Sequence, residues 1–599
     1  MGYLISTNPS IFSNPKRFGE LSFKCIDASL EKHKGFFIEG YLRHDQQTIQ
    51  KDDLQIFQNS WPLPDEFSGS FAFTLLTEKQ IIIANDGIGV YPIYYFIKDK
   101  TITVSNSLLE LQKHLKLEID EVGKAERLFA PENSEIGSRT LLKGVKRLLP
   151  GEKLTFDLRT KKIKKSYDDR LYADMHDHIN DNQIQAYWQV LQNEIQFIES
   201  LNATRTDIAL SGGIDSRILI GAMTPNPDAV AYHYGKPKYY ETKIAEQVAK
   251  ECLFKFKSRM DYTDQFPKKM SLEHTIQNVG PPYSMHWYNI LEMAEEDKTN
   301  LILGDMCEAL HGRNIKAFST RQSRIRNYVK HYVLNKDYVF TPASEENFKE
   351  WKQQKLKSYW EHIYHDSLLQ HTSFNILTFK NDINHDLEEV FKRIEDHQLP
   401  YAELYEELFT WFTHSRVPMG RQITHCNERF FAYAPAMSSA MMIASSNIHP
   451  NLRLNYRFNN KLFKQIESLK PLNKIPVSQV PYLSRTTPDF MQFLVWGVRS
   501  QTDQFLISRM MRHKNPDLRY RLFKSLNWVK VYQNKDLENI LYSYFKNNQL
   551  SEDVINACKD LAFKRKNLEE WPLSNTDIIS IAILNLELGF FNNIKKLRI

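Results

Sequence analysis

The chain has 599 residues, 42% hydrophobic and 25% charged, with a formal net charge of +6. Such a length exceeds what one hydrophobic core organises, so more than one domain is expected. The composition excludes long disorder, and so dilute a positive charge implies no nucleic-acid partner. The cysteines, Cys25, Cys252, Cys307, Cys426 and Cys558, are far apart and odd in number, which argues against a disulfide framework or a metal cluster and for a reducing, cytoplasmic compartment. No apolar run reaches membrane-spanning length, so no membrane insertion is expected. The start, Met1-Gly2-Tyr3-Leu4-Ile5-Ser6, lacks the basic flank and apolar core of a signal peptide, although Gly2 and Ser6 fit the short myristoylation pattern.

In chain order, apolar or alternating runs at Gly35 to Leu42, Ser70 to Leu76, Gln80 to Ala84, Val90 to Ile97 and Thr101 to Ser105 predict strands separated by turns. They define an N-terminal α+β sandwich, placed at 1–158. A polar stretch that is basic at its start makes 159–186 a connection, and 187–599 forms the second domain. From Thr206 the period changes. Ile208 to Leu210 predicts a strand, Arg217 to Met223 a helix, and Asp228 to Tyr234 a strand. Glu241 to Cys252 predicts a helix with Ile244, Ala245, Val248 and Ala249 on one face, and Asn300 to Gly304 a further strand. Strands alternating with helices imply a parallel sheet covered on both faces, so the fold is α/β overall. Ligands of such sheets bind beyond the carboxyl ends of the strands, where both Gly212-Gly213 and Gly304-Asp305 fall. Beyond residue 313 the chain is mostly helical, with Trp351, Trp360, Trp411 and Phe412 expected in a core.

The stretch Ser211-Gly212-Gly213-Ile214-Asp215-Ser216 carries the most chemistry. The glycines permit a tight turn and a close backbone approach, and the amides of the turn and the following helix N-terminus make an anion site. Asp215 beside such a cradle implies a divalent cation, Mg²⁺, screening acid from phosphate. The plain alternative is a strand–turn–helix junction in which Asp215 complements the helix dipole. The stretch resembles the pyrophosphate loop of ATP pyrophosphatases, and no Lys follows the second Gly as a Walker loop requires.

Other segments extend that resemblance to the asparagine synthetase B-like family. Phe67-Ser68-Gly69-Ser70-Phe71-Ala72-Phe73, Asp86 to Tyr95, and Leu149-Pro150-Gly151-Glu152 are similar to segments of its class II glutaminase domain. Leu303-Gly304-Asp305-Met306-Cys307-Glu308 looks like the second acidic loop of its synthetase domain, and Arg429 to Met437 resembles a later segment. The departures are informative. A class II glutaminase uses an N-terminal Cys activated by its own amine, and Gly2 stands there instead. Glu39-Gly40 replaces an Asn-Gly oxyanion pair, and Asn85-Asp86 a glutamine-binding Arg-Asp. The resemblance therefore implies a first domain that no longer hydrolyses glutamine, as in β-lactam and carbapenam synthetases and lasso peptide cyclases.

What the resemblance implies is adenylation of a substrate carboxylate by ATP, release of pyrophosphate, and attack by an amine the substrate brings. Ser211, Gly212, Gly213 and Ser216 would bind pyrophosphate, and Asp215 and Glu308 would hold Mg²⁺. Leu303 and Gly304 would contact the adenine nucleotide through their backbone, with Tyr232 or His233 as possible helpers. Asp305 would be the general base and Lys474 the cation that stabilises the intermediate, with Lys461 and Lys470 as competitors. The expected substrate bears both a carboxylate and an amine: a peptide closed into a lasso macrolactam, with a leader peptidase or precursor-recognition protein as partner. The alternatives are a small-molecule β-lactam former, an amine- or ammonia-dependent ligase of a cell-surface sugar, and a non-catalytic ATP-binding scaffold.

Overall fold

The computed structural model describes residues 2–12, 16–19, 21–175, 182–201, 205–235, 240–259, 267–296, 298–307, 309–315, 329–330, 334, 336–454, 457–477, 480–487, 491, 494–495, 498, 550–563 and 575–596. Its N-terminal strands are β1 (Tyr3–Ser6), β2 (Lys16–Phe18), β3 (Leu21–Cys25), β4 (Glu31–His33), β5 (Phe36–His44), β6 (Gln47–Thr48), β7 (Phe67–Leu76), β8 (Gln80–Asn85), β9 (Tyr94–Lys98), β10 (Thr101–Ser105), β11 (Val145–Arg147), β12 (Glu152–Asp157) and β13 (Ile163–Tyr167). They form two antiparallel sheets, a six-stranded one in the order β11-β9-β10-β1-β3-β2 and a seven-stranded one in the order β13-β12-β8-β7-β5-β4, with β6 paired to β5.

β7 is buried along its whole length, and its apolar residues point to two different clusters. Ala72 and Leu76 join a core with Leu4 and Ile102 of the other sheet. Phe71, Phe73 and Leu75 point the other way into a second cluster, closed by Phe57 of the helix Asp53–Asn59.

Two expectations change here. The run from Val90 to Ile97 is extended only from Tyr94, because Asp86 folds the preceding residues into a loop by accepting from the amides of Ile88 and Gly89 at 2.9 and 2.8 Å. The polar segment expected as a connection contributes β13, which pairs with β12, and the helix Asn182–Leu201 follows. An edge strand with an open side tolerates such polarity, and Lys165 meets the buried Glu152 at 2.7 Å across the hairpin.

The C-terminal half holds a parallel sheet. Its strands are β14 (Thr206–Ala209), β15 (Val230–Tyr234), β16 (Lys255–Arg259), β17 (Asn300–Ile302) and β18 (Phe431–Tyr433), in the order β16-β15-β14-β17-β18. The helices Asp215–Ala222 and Tyr240–Glu251 lie between successive strands, the first starting at Asp215 rather than Arg217. Register aligns the strand ends: Ile208 pairs with Ile302, and Ile302 with Tyr433. Trp360, Trp411 and Phe412 are buried in the helical remainder, while Trp351 packs against the core only partly covered. Among the described residues no helix is long and apolar enough to cross a membrane.

The helix Asn182–Leu201 ties the two halves together through a buried carboxylate. Glu194 accepts from Arg43, from Ser68 at 2.8 Å and from Tyr41 at 2.6 Å, donors carried by β5 and β7. Glu194→Ala leaves the Arg43 guanidinium buried without its counter-charge and is expected to cost roughly 3–5 kcal/mol, read as a lower urea midpoint. Adding Arg43→Met should recover most of that loss.

Candidate active site

β14 delivers the glycine loop to the carboxyl edge of the parallel sheet. The loop is held by its own hydroxyls: Ser211 and Ser216 share a hydrogen bond of 2.9 Å, the Ser211 amide donates to Ser216 Oγ at 2.9 Å, and the Gly213 amide donates to Ser211 Oγ at 3.1 Å. The amides of Gly212, Ile214 and Ser216 have no acceptor among the described residues, which leaves orphan donors at a helix N-terminus where an anion is favoured. The loop thus fits a phosphate group.

Its neighbour, the end of β17, comes within van der Waals reach of the loop at Gly304. A Cβ there would lie 3.4 Å from the Ser216 amide nitrogen and 3.7 Å from Asp215 Cβ. The Leu303 amide is committed to the sheet, donating to the Tyr433 carbonyl at 2.9 Å, so only its carbonyl could face a nucleotide. Asp305 follows, and its Oδ2 is buried without a hydrogen-bond partner among the described residues. Burial pushes its carboxyl up to about 7, with the charge of His414 pulling the other way. Next to it, Met306 holds a left-handed φ of 74°, a strained conformation for a non-glycine residue. Both Asp215 and Asp305 raise the Cys307 thiol further above the level that burial sets, which places the two acids around one buried side chain. Glu308, the second expected Mg²⁺ ligand, lies outside the described residues. Among the described residues no cluster of three or more His, Cys, Asp or Glu could hold a metal. Asp215 with phosphate oxygens still suits Mg²⁺, which commonly takes one or two carboxylates and completes its shell from phosphate and water.

The expected lysines separate. Lys470 is ion-paired with Glu467. Lys474 is exposed and has no carboxylate partner among the described residues. Its segment is bound to the glycine loop by Arg217, whose signal in the sequence is a charge opening the otherwise apolar run Arg217-Ile218-Leu219-Ile220. The guanidinium is fully buried, donating through Nη1 to the carbonyls of Leu472 and Ile475 at 3.0 and 2.8 Å. Through Nη2 it donates to Pro476 at 2.7 Å and Gly212 at 3.4 Å. Burial lowers its pKa to about 9, so it stays charged at neutral pH.

Tyr232 and His233 do not act as a pair. Tyr232 packs on Phe430, in the field of Asp207 at the far end of the sheet. His233 Nδ1 donates to the Leu210 carbonyl at 2.8 Å, and burial holds its pKa near 4, so a neutral imidazole braces the approach to the loop.

In the N-terminal half, Asn85 and Asp86 are engaged by the surrounding backbone. Asn85 Oδ1 accepts from the Glu152 amide at 3.1 Å. Asp86, whose carboxyl burial raises to about 6, also accepts from the Phe71 amide at 2.7 Å. Cys25 donates to the Asp27 carbonyl at 3.0 Å, and burial with nearby Glu31 and Asp27 raises its thiol pKa, which disfavours a nucleophilic thiolate.

Residues 62–168 match the family model of a glutamine amidotransferase domain, so the antiparallel half contains a domain of glutamine amidotransferase type. Among solved structures, a glutamine phosphoribosylpyrophosphate amidotransferase from B. subtilis complexed with ADP and GMP is 12% identical over 52% of this chain and 71% of that one, with a TM-score of 0.16. The allosteric regulatory enzyme of purine biosynthesis is 13% identical over 43% of this chain and 74% of that one, with a TM-score of 0.17. At such TM-scores neither likeness bears on this chain. No curated protein matches the sequence.

The Asp305 carboxyl makes stability depend on pH in a definite sense. Its folded pKa of about 7 lies above the ordinary 3.8, so the fold favours the protonated acid. That stabilisation is complete below about pH 4 and is lost as pH rises through 7. In protein without nucleotide or divalent cation, Asp305→Asn is expected to be more stable than the parent by up to roughly 4 kcal/mol at pH 8 and by clearly less at pH 5. Denaturant unfolding at the two pH values reads the gap, and an equal gap at both would contradict the assigned environment.

Proposed function

We propose that this chain is an ATP-dependent, AMP-forming synthetase that joins a substrate carboxylate to an amine without hydrolysing glutamine. One observation carries the reading: the Ser211–Ser216 loop, with orphan amides, and Asp305, with an unpartnered buried oxygen, stand at adjacent parallel-strand ends. The substrate carboxylate oxygen attacks the α-phosphorus of ATP, pyrophosphate leaves, and an acyl-adenylate forms. Ser211, Gly212, Gly213 and Ser216 form the cradle for the departing pyrophosphate: Gly212 and Ser216 offer their amides, Ser211 and Ser216 their hydroxyls, and the Gly213 amide holds the turn through Ser211 Oγ. Asp215, with Glu308, would hold Mg²⁺, which supplies charge neutralisation on the phosphates. The amine then attacks the acyl carbon, AMP leaves, and Asp305 accepts the ammonium proton. Lys474 is the cation assigned to the charge that develops on the acyl oxygen and departing phosphate.

The substrate class proposed is a peptide bearing both groups, closed into a macrolactam of lasso type and presented by a leader peptidase or precursor-recognition partner. A β-lactam-forming small molecule, a cell-surface sugar ligated to an amine or ammonia, and a non-catalytic scaffold are its competitors. The glutamine amidotransferase match over 62–168 favours a further reading, in which the N-terminal domain makes ammonia from glutamine. Against it stand Gly2 at the nucleophile's place in the resemblance and the raised pKa of Cys25.

Pyrophosphate release from ATP and Mg²⁺ with candidate carboxylate substrates tests the proposal. Asp215→Asn is expected to lower the rate at least about 100-fold, and glutamine should be neither required nor consumed. No substrate-dependent pyrophosphate, with Asp215→Asn indistinguishable from the parent, would sink the enzymatic reading. Arg217→Met leaves Lys474 in place but frees its segment, and is expected to cost on the order of 10–100-fold in kcat.

A further inference from the structure

A cavity of about 570 Å³ lies where the antiparallel half meets the helical half, away from the glycine loop. Neither the residues from Ser211 to Ser216 nor Asp305 nor Lys474 line it. Its size falls in the range of small-molecule sites, and Tyr91, Tyr94, Phe431 and Tyr433 put aromatic rings in its wall.

Most of its basic side chains are engaged, and three charged residues that line it, Asp27, Lys32 and Glu39, have no ion pair among the described residues. Arg127 meets Glu135 and Glu587, and Arg421 meets Glu135 at 3.0 Å. Arg139 pairs with Asp120 and Asp386. Arg147 donates to the carbonyls of Gly89 and Val90, and Lys298 to that of Asn427. Glu39 has no cation within salt-bridge reach among the described residues. Its Oε2 accepts from Asn106 Nδ2 at 3.0 Å, and that amide is itself oriented by the Tyr3 N–H, which donates to its Oδ1 at 3.1 Å. The side chain is partly accessible where it lines the cavity. Burial nevertheless pushes its carboxyl up to about 7, against the pull of the Asn106 hydrogen bond and of the N-terminal ammonium and Arg147 charges.

The backbone beside Glu39 is closely packed. The next residue, Gly40, has φ +80°, and a Cβ there would lie 2.2 Å from the Ser70 carbonyl and 2.4 Å from the Tyr91 ring. A carboxylate at this point repels an oxyanion and attracts a cation. One carboxylate and one amide are too few for a metal ion, whereas an ammonium needs a single counter-ion and gains from aromatic faces.

We propose that this cavity is a binding site for an organic primary ammonium, with Glu39 as its counter-ion. The site is separate from the proposed adenylation site, and its ligand binds without ATP.

The test uses the full chain and isothermal titration with methylammonium, butylammonium and benzylammonium chloride, and with benzyl alcohol as the uncharged counterpart. At least one alkylammonium should bind saturably, and benzyl alcohol about tenfold or more weaker than benzylammonium. Glu39→Gln, which keeps an acceptor for Asn106, should weaken ammonium binding by a similar factor and leave the alcohol unchanged. Absence of saturable ammonium binding overturns the proposal, as does equal affinity for benzylammonium and benzyl alcohol. Equal ammonium affinity of parent and Glu39→Gln, with both shown folded by circular dichroism, overturns it as well. The comparison of charged and uncharged probes in the parent protein stands even if the variant fails to fold.

Discussion

A guanidinium presents its N–H donors in one rigid plane and stays charged at neutral pH, so it can be buried only where acceptors meet it from fixed directions. Here those acceptors are largely main-chain carbonyls. Arg416, fully buried in the helical half, donates to the carbonyls of Ile136, Gly137 and Leu148 in the antiparallel half. Arg147 returns the contact, donating to the Arg416 carbonyl at 3.2 Å. Arg393 reaches the carbonyls of Pro150 and Asp168. Carbonyls cannot be traded for others by a side-chain rotation, so each bond fixes backbone against backbone and sets how the two halves sit together.

Arg217 applies the same device inside the parallel-sheet half. It joins Gly212 to Leu472, Ile475 and Pro476, segments that no local propensity would bring together. The proposed chemistry depends on that junction, because a cation that stabilises a developing charge must be held relative to the phosphate cradle and not merely be near it. His233 adds a brace from the neighbouring strand through the Leu210 carbonyl. Rigidity in the supporting residues leaves the loop amides free for a ligand.

In the antiparallel half Asn85 and Asp86 serve the backbone around them, and a cavity lined in part by Glu39 lies where that half meets the helical one. β7 is buried along its whole length, and its polar residues are accommodated there because each has a hydrogen-bond partner.

Much of the parallel sheet was legible because short apolar runs alternate with a helical period, and the glycine loop was legible because its chemistry is local. Both Gly212-Gly213 and Gly304-Asp305 could be placed at strand ends for that reason. β16, with Lys255, Lys257 and Arg259 in an edge strand, has too little apolar signal to announce itself, and β18 is a short run whose pairing with β17 spans well over a hundred residues of chain. β13 was hidden by its own polarity, which an edge position permits. Periodicity and local motif therefore determine which segments are strands and where a phosphate can sit. Burial and long-range contact decide the protonation of Asp305, the reach of Arg217 and the exposure of Lys474, because desolvation and hydrogen-bond partners are properties of packed neighbours, not of chain order.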